Sequence, residues 1–277
     1  MEREGTTMAR PTGEPTWLEY SANGIADPMD FYRQIFGWEF DDLGPEMNHY
    51  CMAVAEGSRQ SGFMDTTGMT CPDGEELTPT WDVYLAVDSV DERLEKARAN
   101  GARVVVEPAR MEGVGTFAGI CDPTGAFVGL WEDGGFEGYV FSGKPGTPVW
   151  FELMSMDFDA SAAFYSAVFD FDITLMDSDE DDPQPDLRYA TNAPGEKASA
   201  GMCEAKEWFP AGTKSFWRPY FGVADADATV AAIEKAGGKL LDGPIDSPFG
   251  RVATVADPKG ASFQINQPLP GGPGAGS

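Results

Sequence analysis

From Trp17 to Phe40 the chain reads WLEYSANGIADPMDFYRQIFGWEF. A short alternating run gives way to a turn bearing Asp, and then to a stretch whose aromatic pair, Phe31 and Tyr32, falls on the apolar face of a helix. The pattern returns at Trp150 as WFELMSMDFDASAAFYSAVFDFDI. Trp17, Glu19, Phe31, Tyr32 and Phe36 fall on Trp150, Glu152, Phe164, Tyr165 and Phe169, an offset of 133 residues throughout. Strand, turn and helix are therefore predicted twice.

Beyond the first helix, alternation predicts strands around 49–57 (HYCMAVAEG), 61–66 (SGFMDT) and 81–87 (WDVYLAV). From Asp88 the spacing changes: Val90, Leu94 and Ala97 share one helical face, and Gly101 stands where a C-terminal cap belongs. The strands ARVVVEPAR, GTFAGICDP and GAFVGLWE follow. This block also recurs, with Trp81 on Trp217, Gly101 on Gly237, and Asp122-Pro123-x-Gly125 on Asp257-Pro258-x-Gly260. In the Asp-Pro-x-Gly turns Asp starts the turn, Pro sets φ and Gly accepts positive φ, so they read as structural. The chain is thus α+β, built from four βαβββ modules. It divides into domains at 16–133 and 149–267, an ordered Gly-rich linker at 134–148, and disordered tails at 1–15 and 268–277.

Composition narrows the partners. With 19 Lys and Arg against 46 Asp and Glu, the formal charge of −27 repels phosphate backbones and anionic membrane surfaces. Neither nucleic acid nor membrane is expected as a partner on that ground; the field would attract a cationic small molecule, although solubility alone accounts for such a charge. Cys51, Cys71, Cys121 and Cys203 lack CxxC spacing, so neither a disulfide framework nor a zinc ribbon is expected. No apolar run approaches the length of a membrane span, which predicts a soluble, cytoplasmic protein.

Four βαβββ modules, FYRQIFGW after the first strand, VDSVDE and VADAD at the second helices, and DPxG before each final strand together resemble the vicinal oxygen chelate superfamily. That superfamily includes glyoxalase I, fosfomycin and bleomycin resistance proteins and extradiol dioxygenases. The resemblance covers 16–267 and implies two glyoxalase-like domains. It does not fix function, because one fold hosts many chemistries. Metal-bearing members use three ligands on cleft-facing strands. The positions implied here are Trp17, Asp82 and Gly129 in one half, and Trp150, Arg218 and Gln264 in the other. Trp and Gly side chains do not ligate and Arg stays cationic, so no metal and no cofactor is expected. His49 is the single histidine, and it reads as a strand-edge residue. The acidic run Asp177, Asp179, Glu180, Asp181 and Asp182 lacks EF-hand spacing and reads as a solvated loop. No phosphate-binding glycine loop and no nucleophile elbow is present.

Residues two apart on a strand share a face, so the cleft lining can be listed from parity. It comprises Trp17, Glu19, Asp82, Tyr84, Phe127, Gly129 and Trp131 in the first half, and Trp150, Glu152, Met154, Arg218, Tyr220 and Gln264 in the second. The opposite parity (Leu18, Tyr20, Val83, Leu85, Val128, Leu130, Phe263, Ile265) is expected under the helices. This lining predicts an apolar slot with flat aromatic walls, roomier in the first half at Gly129, suited to a planar polycycle. Whether Trp17 stands with Asp82 and Gly129 or with Arg218 and Gln264 is left open.

The resemblance extends to tandem members of this superfamily that serve as accessory proteins in actinomycete antibiotic clusters. It implies an anthracycline-like ligand, a planar aromatic polyketide with a cationic amino sugar. A metal-free binding protein is the favoured reading, sequestering product to protect the cell or to relieve product inhibition of a partner oxygenase such as a cytochrome P450. The alternative is a metal-independent enzyme with Glu19 or Glu152 as general base.

Overall fold

The computed structural model describes residues 10–70, 74, 77–136, 138–139, 142–176 and 187–269. The first module runs β1 (Pro15–Ala22), α1 (Ala26–Phe36), β2 (Glu39–Asp42), β3 (Cys51–Ala55) and β4 (Ser58–Asp65). The second contains β5 (Thr80–Ala86), α2 (Val90–Ala99), β6 (Arg103–Met111), β7 (Gly115–Cys121) and β8 (Phe127–Asp133). The third contains β9 (Pro148–Ser155), α3 (Phe158–Phe169), β10 (Thr174–Leu175), β11 (Tyr189–Thr191) and β12 (Gly201–Glu204). The fourth completes the series with β13 (Phe216–Gly222), α4 (Ala226–Lys235), β14 (Lys239–Ser247), β15 (Gly250–Ala256) and β16 (Ser262–Gln267). The predicted order of elements is observed. The expected acidic loop at 177–182 lies outside the described residues, as do Cys71 and the tail segments 1–9 and 270–277. Ahead of β1, Gly13 donates to the Ala86 carbonyl and Ala86 donates to that of Glu14, so hydrogen-bonded chain begins before Trp17.

Local chemistry explains where the helices start and stop. Ser89 caps α2 by accepting from Glu92 N, Asp157 caps α3 through Ala160 N, and Asp225 caps α4 through Ala228 N. Gly101 and Gly237 both follow their helices at φ +89°, a conformation that costs any other residue a Cβ clash.

The strands form two eight-stranded sheets, in the orders β2-β3-β4-β1-β5-β8-β7-β6 and β10-β11-β12-β9-β13-β16-β15-β14. The second order is the first with each strand replaced by its repeat counterpart. Parallel pairing sets Glu19 beside Gly62, Tyr84 beside Gly129, and Tyr220 beside Gln264.

By internal contacts the residues sort into two compact units that are not successive in sequence. A middle unit holds Tyr84–Gly138 and Ser155–Phe216 with the described residues up to Thr16, and so gathers the second and third modules. A terminal unit holds Trp17–Val83, Tyr139–Met154 and the chain from Trp217 on, gathering the first and fourth. The Asp-Pro-x-Gly turns show how each unit is joined. Asp257, 1 % exposed, accepts from the backbone N–H groups of Lys259, Gly260 and Ala261 through Oδ1, and from Tyr20 (2.6 Å) and Tyr32 (3.4 Å) through Oδ2. Asp122 likewise takes Thr124 N and Ala126 N on Oδ1 and the Tyr165 hydroxyl on Oδ2 at 3.1 Å. The second aromatic of each FY pair is therefore tied to the turn of the module that shares its unit. Burial raises the pKa of both aspartates. Around Tyr32 the terminal unit packs Tyr20, Trp38, Trp81 and Phe263 with ring centroids 5.3–5.7 Å apart, each pair contributing about 0.5–1.5 kcal/mol beyond the area it buries.

Candidate functional site

Two polar clusters form in the terminal unit at equivalent places in the repeat. On β1, Glu19 accepts from the Tyr50 hydroxyl at 2.8 Å, and Tyr50 in turn accepts from Trp17 Nε1 at 3.1 Å. Gly62, paired with Glu19, makes this possible, because a Cβ there would overlap the Tyr50 hydroxyl. Asp82 on β5 completes the cluster and is hydrogen-bonded to Ser21. Burial first, and the charge of Glu19 second, push the Asp82 carboxyl up to about 8, so it holds a proton at neutral pH. Burial also raises the Tyr50 phenol. Trp17 thus stands with Glu19 and Asp82.

At the equivalent place on β9, Glu152 is 3 % exposed and its Oε2 accepts from Arg218 Nε at 2.9 Å, Arg218 Nη2 at 2.6 Å and the Tyr220 hydroxyl at 2.9 Å. With its amide oxygen toward the guanidinium, Gln264 accepts from Arg218 Nη2 at 2.7 Å while its nitrogen donates to the Ala253 carbonyl. Burial and then the charge of Glu152 raise the Tyr220 phenol. Trp150 is partly exposed, whereas Met154 on the same face is 1 % exposed. Here a carboxylate and a cation neutralise each other within the fold.

The middle unit presents something different: a floor of aromatic side chains set against glycines, in which the Tyr84 and Phe127 rings stand edge to face (6.3 Å, 73°). Gly119 on β7 faces Gly129 on β8. The Tyr84 ring lies over Gly129, where a Cβ would collide with it. The Phe127 ring lies over Gly119, 2.8 Å from where a Cβ would be, and the Trp131 ring lies over Gly115 at 2.9 Å. Phe117 stacks beside Trp131 (6.5 Å, 13°) and Phe136 meets it edge-on (5.5 Å, 69°). The opposite face, Leu85, Ala118, Ile120, Val128 and Leu130, is fully buried, and α2 packs against β7 and β8 with Val90, Leu94 and Ala97. Parity thus separates the faces as expected.

Two expectations change. Gly129 does not open extra room, because its missing side chain is replaced by the Tyr84 ring. The Trp17 wall is not purely apolar, since its indole N–H is committed to a phenol–carboxylate chain. Tyr50, Gly62, Phe117 and the glycines at 115 and 119 escape the parity argument. A signal exists for the first two: Tyr50 and Gly62 recur as Tyr189 and Gly201, and a Cβ at Gly201 would overlap the Tyr189 hydroxyl just as at Gly62.

The donor sets do not fit a catalytic divalent metal. Trp17 offers only an N–H, which is in use, Gly129 lies under a ring, and Arg218 places a cation at the third position of the other half. Among the described residues no three His, Cys, Asp or Glu side chains are grouped to hold a metal ion. His49, which precedes Tyr50, is exposed and its ring pairs with Asp42 at 2.9 Å. Among the described residues no helix is long and apolar enough to cross a membrane.

Comparison with known proteins matches this architecture. A family model described as the Glyoxalase/Bleomycin resistance protein/Dioxygenase superfamily matches residues 15–130 and 147–265. "Putative glyoxylase CFP32" of Mycobacterium tuberculosis is 32% identical over 263 residues, covering 93% of this chain and 96% of its own length. "Anthracycline biosynthesis protein DnrV" of Streptomyces peucetius is 28% identical over 273 residues, covering 95% and 96%. Among solved structures, the Mn(II)-bound glyoxalase from Novosphingobium aromaticivorans aligns with a TM-score of 0.60 at 15% identity, covering 94% of this chain and 83% of that one. At that identity the likeness shows the fold.

Proposed function

The chain belongs to the Glyoxalase/Bleomycin resistance protein/Dioxygenase superfamily, and on that footing we propose that it is a metal-free binding protein for a planar, oxygenated aromatic polyketide of the anthracycline class. The observation that carries the reading is the ring floor of the middle unit. Three aromatic side chains gathered over glycines on one sheet face, Tyr84 and Phe127 edge to face, form a cluster of the kind against which a fused polycycle packs, and relatives such as DnrV are named for anthracycline biosynthesis. A chain of net charge −27 adds a long-range field that favours an amino-sugar ammonium. Sequestering such a product protects the cell, and by mass action it relieves inhibition of an oxygenase, for example a cytochrome P450, that makes it.

The test is a fluorescence titration of the metal-stripped protein with daunorubicin, followed by mass spectrometry of the recovered drug. Saturable quenching with unchanged drug is expected. Recovery of a modified drug, or binding only after a divalent metal is added, overturns the reading. One observation favours a second reading, a metal-independent enzyme: Glu19 lies beside an Asp82 that keeps its proton, a carboxylate and carboxylic acid arranged as base and acid. Turnover lost in Glu19→Gln with binding retained supports that reading over the first.

A further inference from the structure

Among the buried indoles of the described residues, Trp131 stands apart. Trp17 Nε1 donates to Tyr50 at 3.1 Å, Trp38 Nε1 to the Gly146 carbonyl at 2.7 Å, and Trp81 Nε1 to the Tyr32 hydroxyl at 3.0 Å. Trp131 is 6 % exposed, yet its Nε1 is buried with no hydrogen-bond partner. Buried polar groups are nearly always paired, so an orphaned donor on a rigid element calls for a partner supplied from elsewhere. Its position is well fixed: Phe117 is stacked on one side, Phe136 stands edge-on, and Gly115 lies beneath. The ring belongs to the same floor as Tyr84 and Phe127.

We propose that the Trp131 indole N–H is the specificity donor of this floor, recognising a neutral carbonyl oxygen, quinone or ketone, on the edge of the bound polycycle. This inference rests on the proposed ligand class and deepens it. An indole nitrogen donates and never accepts, so its partner is an acceptor and not an ammonium or a hydrocarbon edge. The surroundings of Trp131 are aromatic rings and backbone, where a neutral oxygen is desolvated far more cheaply than an anion. A site built around a buried donor discriminates against a ligand lacking the acceptor, because the donor is then left unpaired. The floor thus binds flat aromatics in general, and Trp131 selects the oxidised ones among them.

Two matched probes test this, an aminomethyl-anthraquinone and the corresponding aminomethyl-anthracene, which share shape and charge and differ in the carbonyls. With Trp131→Phe the quinone is expected to lose about tenfold in affinity, the worth of one hydrogen bond, while the anthracene is unchanged. Trp208→Phe, at an indole 47 % exposed, serves as the control and leaves both unchanged. In the wild type, the Nε1–H resonance of Trp131, assigned by through-space contacts to the Phe117 and Phe136 rings, moves downfield with the quinone and not with the anthracene. This second measurement holds even where Trp131→Phe fails to fold. Equal losses for both probes, or a resonance that the bound quinone leaves in place, overturn the inference while leaving the ligand class standing. Failure of both probes and of daunorubicin to bind the wild type overturns the ligand class and the inference with it.

Discussion

Glu19 and Glu152 occupy the same place in the repeat, yet the chain gives them opposite surroundings. Glu152 meets Arg218, with side chains 4 % and 11 % exposed, and Tyr220 and Gln264 close the cluster around the pair. Glu19 meets Asp82, so the repulsion is relieved by a retained proton rather than by a counter-ion. One exchange at one repeat position, Asp82 against Arg218, therefore separates a cluster neutralised by an ion pair from one eased by a retained proton. The difference teaches that duplication preserved the scaffold of both sites while leaving one of them electrostatically filled from within.

The largest expected effect comes from breaking the filled cluster. Arg218→Met leaves Glu152 buried without its cation, and a loss of about 3–5 kcal/mol in urea unfolding is expected. Gly129→Gln rebuilds in the first half the residue found at 264, but the new side chain must displace the Tyr84 ring. The expected cost is about 1–3 kcal/mol, with weakened daunorubicin quenching. Tyr50→Phe removes the link between Trp17 and Glu19, and about 1–2 kcal/mol of stability is expected to go with it, whereas Tyr220→Phe leaves Glu152 its ion pair and costs less.

Asp82→Asn stays closest to the wild type at low pH, where both states hold the proton, and is expected to gain in relative stability as pH rises, because the amide has no proton for the unfolded chain to release. The sign follows from the raised pKa. Between the ordinary aspartate value of 3.8 and about 8, the unfolded chain releases a proton that the folded chain keeps, so Asp82 makes stability fall as pH rises, and the slope ends above 8. Urea unfolding from pH 5 to 9 is expected to lose that slope in Asp82→Asn. An unaltered slope would remove Asp82 from the comparison.

Much of the scaffold was legible in the chain. The alternation at β1, β5 and β8, the FY pairs and the Asp-Pro-x-Gly turns are local patterns, and locality is what periodicity reports. The second role of those turns was not legible, because the bond from Tyr32 to Asp257 spans 225 residues. Parity placed Glu19, Asp82, Arg218 and Gln264 on the right faces but not their partners. That Gly129 is filled by Tyr84 depends on the ring's rotamer and on which strand lies alongside, and neither has a periodic signature. Tyr50 escaped for a related reason: it precedes β3, where alternation has not begun, and reaches Glu19 only because Gly62 lets its ring cross the intervening strand. The short strands β2 and β10 carry too few apolar positions to announce themselves.

The grouping of first with fourth and second with third module has a temporal side. A chain leaving the ribosome closes these groups like nested parentheses: the middle unit has all its residues once Phe216 has emerged, whereas the terminal unit, begun earlier at Trp17, lacks α4 and β14 to β16 until after that. While the middle unit is being made the chain carries the aromatic half-core around Tyr32 without Phe221 and Phe263, the partners that cover it. Truncation after β13 therefore strands the first module rather than the third.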